Sequence, residues 1–116
     1  MKVGYKVWLD HHGKAFGDGP YELLKRVEGT HSLHRAAKEM GMAYSKAWRL
    51  IGTMEKRLGF LLIERKVGGI AGGGSRVTSQ GKELMMRYNR FQEDVNTSLE
   101  KIYRTYFNSE KKRLFK

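Results

Sequence analysis

The chain has no cysteine. That excludes a disulfide framework, a thiolate nucleophile and any zinc site built on sulfur. Proline occurs once, at position 20, so nothing in the sequence has the makings of a rigid, proline-rich linker. No apolar run approaches the ~18 residues that a membrane-spanning helix needs. The amino terminus, Met1-Lys2-Val3-Gly4-Tyr5-Lys6, is charged from its second residue and lacks an apolar stretch, so no secretory signal is expected and a cytoplasmic location follows. Acidic residues are also in short supply: 12 Asp and Glu face 23 Lys and Arg, a formal net charge of +11. Such a field recruits polyanions, nucleic acid first and anionic membrane surface second. The excess is uneven, with 5 bases and 4 acids in residues 1 to 29, 8 and 3 in residues 30 to 66, and 10 and 5 from 67 onward. A length of 116 residues suits one domain.

Residues 3 to 9 alternate apolar and polar as a half-buried strand does, and Asp10-His11-His12-Gly13 supplies turn formers behind it. Pro20 suits the first turn of a helix over about 20 to 28, on which Leu23, Leu24 and Val27 form an apolar stripe and which Gly29 is placed to end in a left-handed conformation. Ser32 can cap a second helix carrying Leu33, Ala36, Ala37 and Met40, closed by Gly41. A third follows after only three residues, with Ala47, Ile51, Met54 and Leu58 at helical spacing and Gly59 behind them. Helices joined so tightly cross steeply, and small Ala36 and Ala37 permit the close approach; this is a helix-turn-helix layout. Two extended stretches around the loop Val67 to Ser75, which holds five glycines, then make a hairpin placed as a wing. From residue 79 to about 107 the stripe Leu84, Tyr88, Phe91, Val95, Leu99, Ile102 and Tyr106 describes a helix of ~42 Å. A stripe that long overhangs a small domain and calls for a partner helix, most simply a second copy. Lys111-Lys112-Arg113 and Lys116 lie in a basic tail, 108 to 116.

Opposite its apolar stripe, the third helix carries Tyr44, Ser45, Lys46, Arg49 and Thr53, donors suited to base edges and phosphates in a major groove ~12 Å wide. Arg65, Lys66 and Arg76 flank the wing loop, where bases beside a flexible tip suit phosphate or minor-groove contact. Trp48, among apolar neighbours, reads as a packing residue. Ala43 stands where a capping Ser, Thr or Asp is usual, at a cost of ~1 kcal/mol. The glycines do not form a phosphate-cradling P-loop, because Gly74-Ser75-Arg76 leads into extended chain and no lysine precedes a helix. His11-His12 and His31 with His34 lack a third ligand at metal-binding spacing, and no serine, histidine and carboxylate arrangement accompanies a nucleophile elbow. Neither a metal nor a catalytic site is expected, and the chain is not expected to be an enzyme.

Several of these stretches together resemble the amino-terminal DNA-binding domain of the ModE family of molybdenum-responsive regulators, itself similar to the winged helix-turn-helix of LysR-type regulators. They are Ala36-Ala37-Lys38, Met40-Gly41-Met42, Tyr44 with Lys46-Ala47-Trp48, Ile63-Glu64-Arg65, the glycines 68, 69 and 72 to 74, and Val77-Thr78 with Gly81. The resemblance implies a homodimer on a palindromic operator, with Tyr44, Ser45, Lys46 and Arg49 toward bases and phosphates and the wing on the backbone. Ala43, Arg49 and Ile70 depart from the family pattern, which implies a different recognition sequence. Molybdate sensing in that family belongs to a separate carboxy-terminal domain, so the expectation is a DNA-binding domain standing alone, with no cofactor and no small-molecule effector.

The expected architecture is mainly α with a small β-hairpin wing: one winged helix-turn-helix domain over 1 to 116, its core about 15 to 78 and its long carboxy-terminal helix about 79 to 107 serving dimerisation. The expected function is sequence-specific binding of double-stranded DNA as a dimeric transcriptional regulator. The alternative is a winged-helix interaction module that heterodimerises with another regulator.

Overall fold

The computed structural model describes residues 1–66 and 74–107, apart from the side chain of Lys66. The wing tip with Ile70 and the basic tail from residue 108 lie outside the described residues. In chain order the elements are β1 (Trp8–Asp10), β2 (Lys14–Gly17), α1 (Asp18–Thr30), α2 (Leu33–Glu39), α3 (Tyr44–Leu58), β3 (Ile63–Lys66), β4 (Gly74–Val77) and α4 (Ser79–Phe107). They make a mainly helical winged helix-turn-helix with an additional amino-terminal hairpin and a long final helix.

The amino-terminal strand is shorter than its alternation suggests. Only Trp8 to Asp10 pair with β2, Leu9 opposite Phe16, with an irregularity after Leu9. The residues before them lie against α4 instead: the Tyr5 hydroxyl donates to Asn96 Oδ1 at 3.1 Å and the Val7 carbonyl accepts from the Tyr88 hydroxyl at 3.1 Å.

Helix α1 runs past Gly29. It is His31, at φ 57°, that takes the left-handed position and returns its N–H to the Val27 carbonyl at 2.7 Å. The reason is partly tertiary, because the His31 carbonyl accepts from Ser75 N on β4 at 2.9 Å and so fixes the chain's exit. Ser32 caps α2 as its sequence position suggests, accepting from Arg35 N at 3.1 Å. Leu33, Ala36 and Ala37 are buried, and α2 stops at Glu39 with Met40 as its cap, one residue before the left-handed Gly41. Helix α3 has no side-chain cap at Ala43 and ends on Gly59, whose φ of 85° is a conformation glycine adopts without steric cost. Behind it, Glu55 Oε2 accepts the N–H groups of Leu62 and Ile63 at 2.7 and 3.3 Å, fastening the path from helix to wing.

The wing pairs Ile63 with Val77, Glu64 with Arg76, Arg65 with Ser75 and Lys66 with Gly74. Phe16, Leu23, Leu24, Val27, Leu33, Ile51 and Leu62 are fully buried at the centre, so every helix of the trihelical unit and both hairpins meet one core. Thr78 starts α4: its hydroxyl accepts from Gly81 N at 2.9 Å and donates to the Leu61 carbonyl at 2.6 Å. Only Gly81, Met85 and Tyr88 of the 29-residue helix are buried. A Cβ at position 81 would lie 2.9 Å from the Leu62 carbonyl oxygen, so the first turn is seated by the absence of a side chain. The rest projects beyond the core, which explains a radius of gyration of 18.5 Å against ~13 Å for a compact domain of about this size. Among the described residues no helix is long and apolar enough to cross a membrane.

Candidate nucleic-acid interface

Helix α3 turns Ala47, Ile51 and Met54 into the core. At ~100° per residue, its opposite ridge is formed by Ser45, Arg49, Gly52 and Lys56, all exposed. Tyr44 and Trp48 lie on one flank of that ridge and Lys46, Thr53 and Arg57 on the other. Lys46, Arg49 and Thr53 are exposed, and among the described residues neither Lys46 nor Arg49 enters an ion pair. Five donors expected from the sequence are therefore brought to one helix, though not to one face: Tyr44 stands toward the wing and Lys46 away from it.

The wing stem is tied to this helix. The Arg65 guanidinium carbon lies 4.0 Å from the centroid of the Trp48 ring, and its Nη2 donates to the Tyr44 hydroxyl at 3.2 Å. Tyr44 also stacks edge-on against Trp48 and leans on His34, with centroids 6.2 and 5.2 Å apart. Trp48 is thus a plate on which the wing rests; its indole Nε1 is buried without an acceptor among the described residues. Arg76, expected beside Arg65 as a stem base, is paired across the hairpin with Glu64 Oε2 at 2.9 Å. Both residues of that pair are largely exposed, so the pair is weak and exchangeable. The side chain of Lys66 lies outside the described residues.

The stripe on α4 divides. Tyr88 is 2% exposed and belongs to the core of its own chain, packed edge-on against Phe16 with centroids 5.2 Å apart. Its one hydroxyl proton is shared between Asp18 Oδ1 at 2.7 Å and the more distant Val7 carbonyl, and Gln92 Nε2 donates to the same Asp18 oxygen. Burial pushes this hydroxyl up to about 12, and the hydrogen bond to Asp18 and its charge add to the rise, with Gln92 acting against it. Leu84 packs partly against the same core. From there outward Phe91, Ile102 and Tyr106 are exposed, with Val95 and Leu99 half-buried between them.

Three bases escaped the sequence reading. Lys56 and Arg57 follow Arg49 at helical spacing and were accessible to a periodicity argument carried past Thr53. Lys14 was not, because it reaches α3 only through the register of the first hairpin.

The model of the bacterial regulatory helix-turn-helix protein, lysR family, matches residues 21–82, which span α1 to the start of α4. Among similar proteins are the DNA-binding transcriptional dual regulator ModE of Escherichia coli, 36% identical over 90 residues, and the molybdenum transport protein ModE of Azotobacter vinelandii, 31% identical over 90 residues. The molybdenum-pterin-binding protein MopB of Rhodobacter capsulatus is 32% identical over 89 residues. These matches cover 77 to 78% of this chain, which spans about a third of the relatives' own length, 33 to 34%.

Proposed function

The chain belongs to the lysR family of bacterial regulatory helix-turn-helix proteins, and from that premise we propose that it binds double-stranded DNA sequence-specifically as a dimeric transcriptional regulator. The observation that carries this reading is the outward ridge of α3, where Arg49 and the neighbouring Lys46 are exposed and unmatched by any carboxylate among the described residues. In this reading α3 enters the major groove, with Ser45, Lys46, Arg49 and Thr53 toward base edges and phosphates. Arg65, Arg76 and Lys66 carry the wing to the backbone, while Tyr44 orients Arg65. Phosphate contacts supply much of the affinity and make it fall steeply with salt, and each mismatched base pair costs ~1–3 kcal/mol.

The dimer rests on the outer part of α4. Phe91, Val95, Leu99 and Ile102, continued by Tyr106, lie beyond the turns that Tyr88 and Met85 anchor in the core, and a second copy of the helix is the simplest cover for them. A two-fold pair places its half-sites ~34 Å apart or at a multiple of that distance. Selection from randomised duplexes is expected to return a palindrome. Lys46→Ala and Arg49→Ala are expected to weaken binding to it at least fivefold, and equal binding by both variants would remove α3 as the reading element. Ile102 is 55% exposed, so Ile102→Asp spares the monomer fold. It is expected to give a monomer in sedimentation and to abolish the two-half-site complex.

A further inference from the structure

Helix α3 is bracketed by two hairpins, and the wing is only one of them. On the other side, Arg57 Nη1 donates to the Lys14 carbonyl at 2.7 Å, binding the end of α3 to the first strand of the chain that enters the core. Position 13 has φ 120°, a conformation that favours glycine, and the Arg57 guanidinium lies over it. The result is a shallow groove of about 460 Å³ floored by Leu50 and Met54 and edged by Lys14, Lys46, Arg49, Thr53 and Arg57. Four of its residues are cationic and none is acidic. The carboxylates on the adjoining elements are engaged elsewhere, Asp10 with Gly13 N at 3.4 Å and Glu55 with Leu62 and Ile63 N. Four cations edging one groove without a counterion repel one another, and their arrangement is favourable only against a polyanion.

The width of the helix says which part of the polyanion. An α-helix with its side chains is ~10–12 Å across, so it fills a major groove ~12 Å wide. With the ridge of α3 toward the bases, the flank that carries Arg57 and the hairpin beside it face the phosphodiester strand that walls the groove. Among the described residues one of the five N–H donors of Arg57 is used, which leaves its other donors to phosphate oxygens. Lys14 is exposed beside it.

We propose that Lys14 of the β1–β2 hairpin and Arg57 of α3 form a phosphodiester-binding clamp that grips the DNA backbone on the side of α3 opposite the wing. This rests on the reading of α3 as the groove-entering helix. The test is fluorescence anisotropy on the selected operator and on a random duplex, between 50 and 300 mM salt, with Lys14→Gln, Arg57→Gln and the double variant. Lys25→Gln, an exposed α1 lysine outside the groove, is the control. A log–log salt slope loses ~0.9 per phosphate contact, so Lys14→Gln is expected to flatten it by about 1.8 in a two-fold dimer. Affinity should fall roughly tenfold on both duplexes alike, with the operator preference kept. Arg57→Gln also loses the bond to Lys14, so its thermal midpoint is read in parallel and Arg57→Lys, which keeps the charge, is expected to recover most of the slope. Wild-type slope and affinity in Lys14→Gln and in the double variant, while Lys46→Ala still loses the operator, would overturn the clamp and leave the reading of α3 standing. If Lys46→Ala and Arg49→Ala bind normally as well, both fall together.

Discussion

Gly52 sits in the middle of α3, on the outward ridge between Arg49 and Lys56, and a Cβ built there meets nothing within 4 Å. Its backbone is ordinary helix, so nothing among the described residues requires glycine at this position. In an exposed helix interior glycine costs 0.8 to 1.0 kcal/mol relative to alanine, by the usual propensity scale. Gly52→Ala is therefore expected to stabilise the free protein by about 1 kcal/mol, a rise of roughly 3–6 °C in Tm for a domain of this size. Glycine on an outward face is useful where a helix backbone must come close to another surface. A methyl group there would hold α3 away from the base edges and lengthen the contacts of Arg49 and Lys46. A loss comparable to one mismatched pair, ~1–3 kcal/mol, corresponds to about five- to 150-fold weaker operator binding. Calorimetry and anisotropy on the same preparation give both numbers. A higher Tm with unchanged operator affinity would refute close approach of this ridge to DNA, and an unchanged or lower Tm would refute the claim that the position is unconstrained within the chain.

Three further outcomes are expected. Tyr88→Phe should cost about 1 kcal/mol at neutral pH through loss of the hydroxyl proton that Asp18 and Val7 share. The raised Tyr88 pKa means the fold favours the protonated hydroxyl, a contribution complete below pH 10 and lost as pH rises through about 12, so alkaline unfolding followed by circular dichroism should be shallower in the variant over that range. Glu55→Ala leaves the Leu62 and Ile63 N–H groups without their carboxylate, and chemical denaturation should show a loss of ~1–3 kcal/mol. Arg65→Lys keeps the charge but loses the guanidinium over Trp48 and its bond to Tyr44, so operator affinity should fall several-fold while its salt slope stays at the wild-type value; wild-type affinity would show that Arg65 acts as a charge alone.

The helices of the central motif were readable because each carries its own local evidence: Ser32 before α2, the period of Ala47, Ile51 and Met54 in α3, and Gly59 behind it. Where the reading and the structure part, the deciding contact comes from far along the chain. Gly29 has the freedom to end α1, but the link from the His31 carbonyl to β4 selects His31 instead. The alternation in residues 3 to 9 is real, yet Tyr5 and Val7 satisfy themselves on α4, leaving a three-residue strand. Periodicity in α4 identified a face and could not name what covers it. Met85 and Tyr88 are covered by the core of the same chain, whereas Ile102 is not.

The same distinction governs the interface. The exposure of Tyr44, Ser45, Lys46, Arg49 and Thr53 was legible because a helix fixes the relative direction of its side chains, so polar residues away from an apolar stripe face outward. What the period does not fix is the neighbour on either flank. Arg65 reads in sequence as one more base beside a flexible loop, but its stack on Trp48 makes it a strut that sets the wing against α3. Lys14 reads as an isolated charge after a turn, but a single bond from Arg57 to its carbonyl sets it beside α3. Each flank of α3 thus joins a hairpin through one arginine that uses part of its guanidinium within the chain. If α3 enters the groove as proposed, a helix braced in this way presents its ridge and both hairpins as one surface, and specificity from the ridge and affinity from the flanks should be separable by substitution, although the fold builds them together.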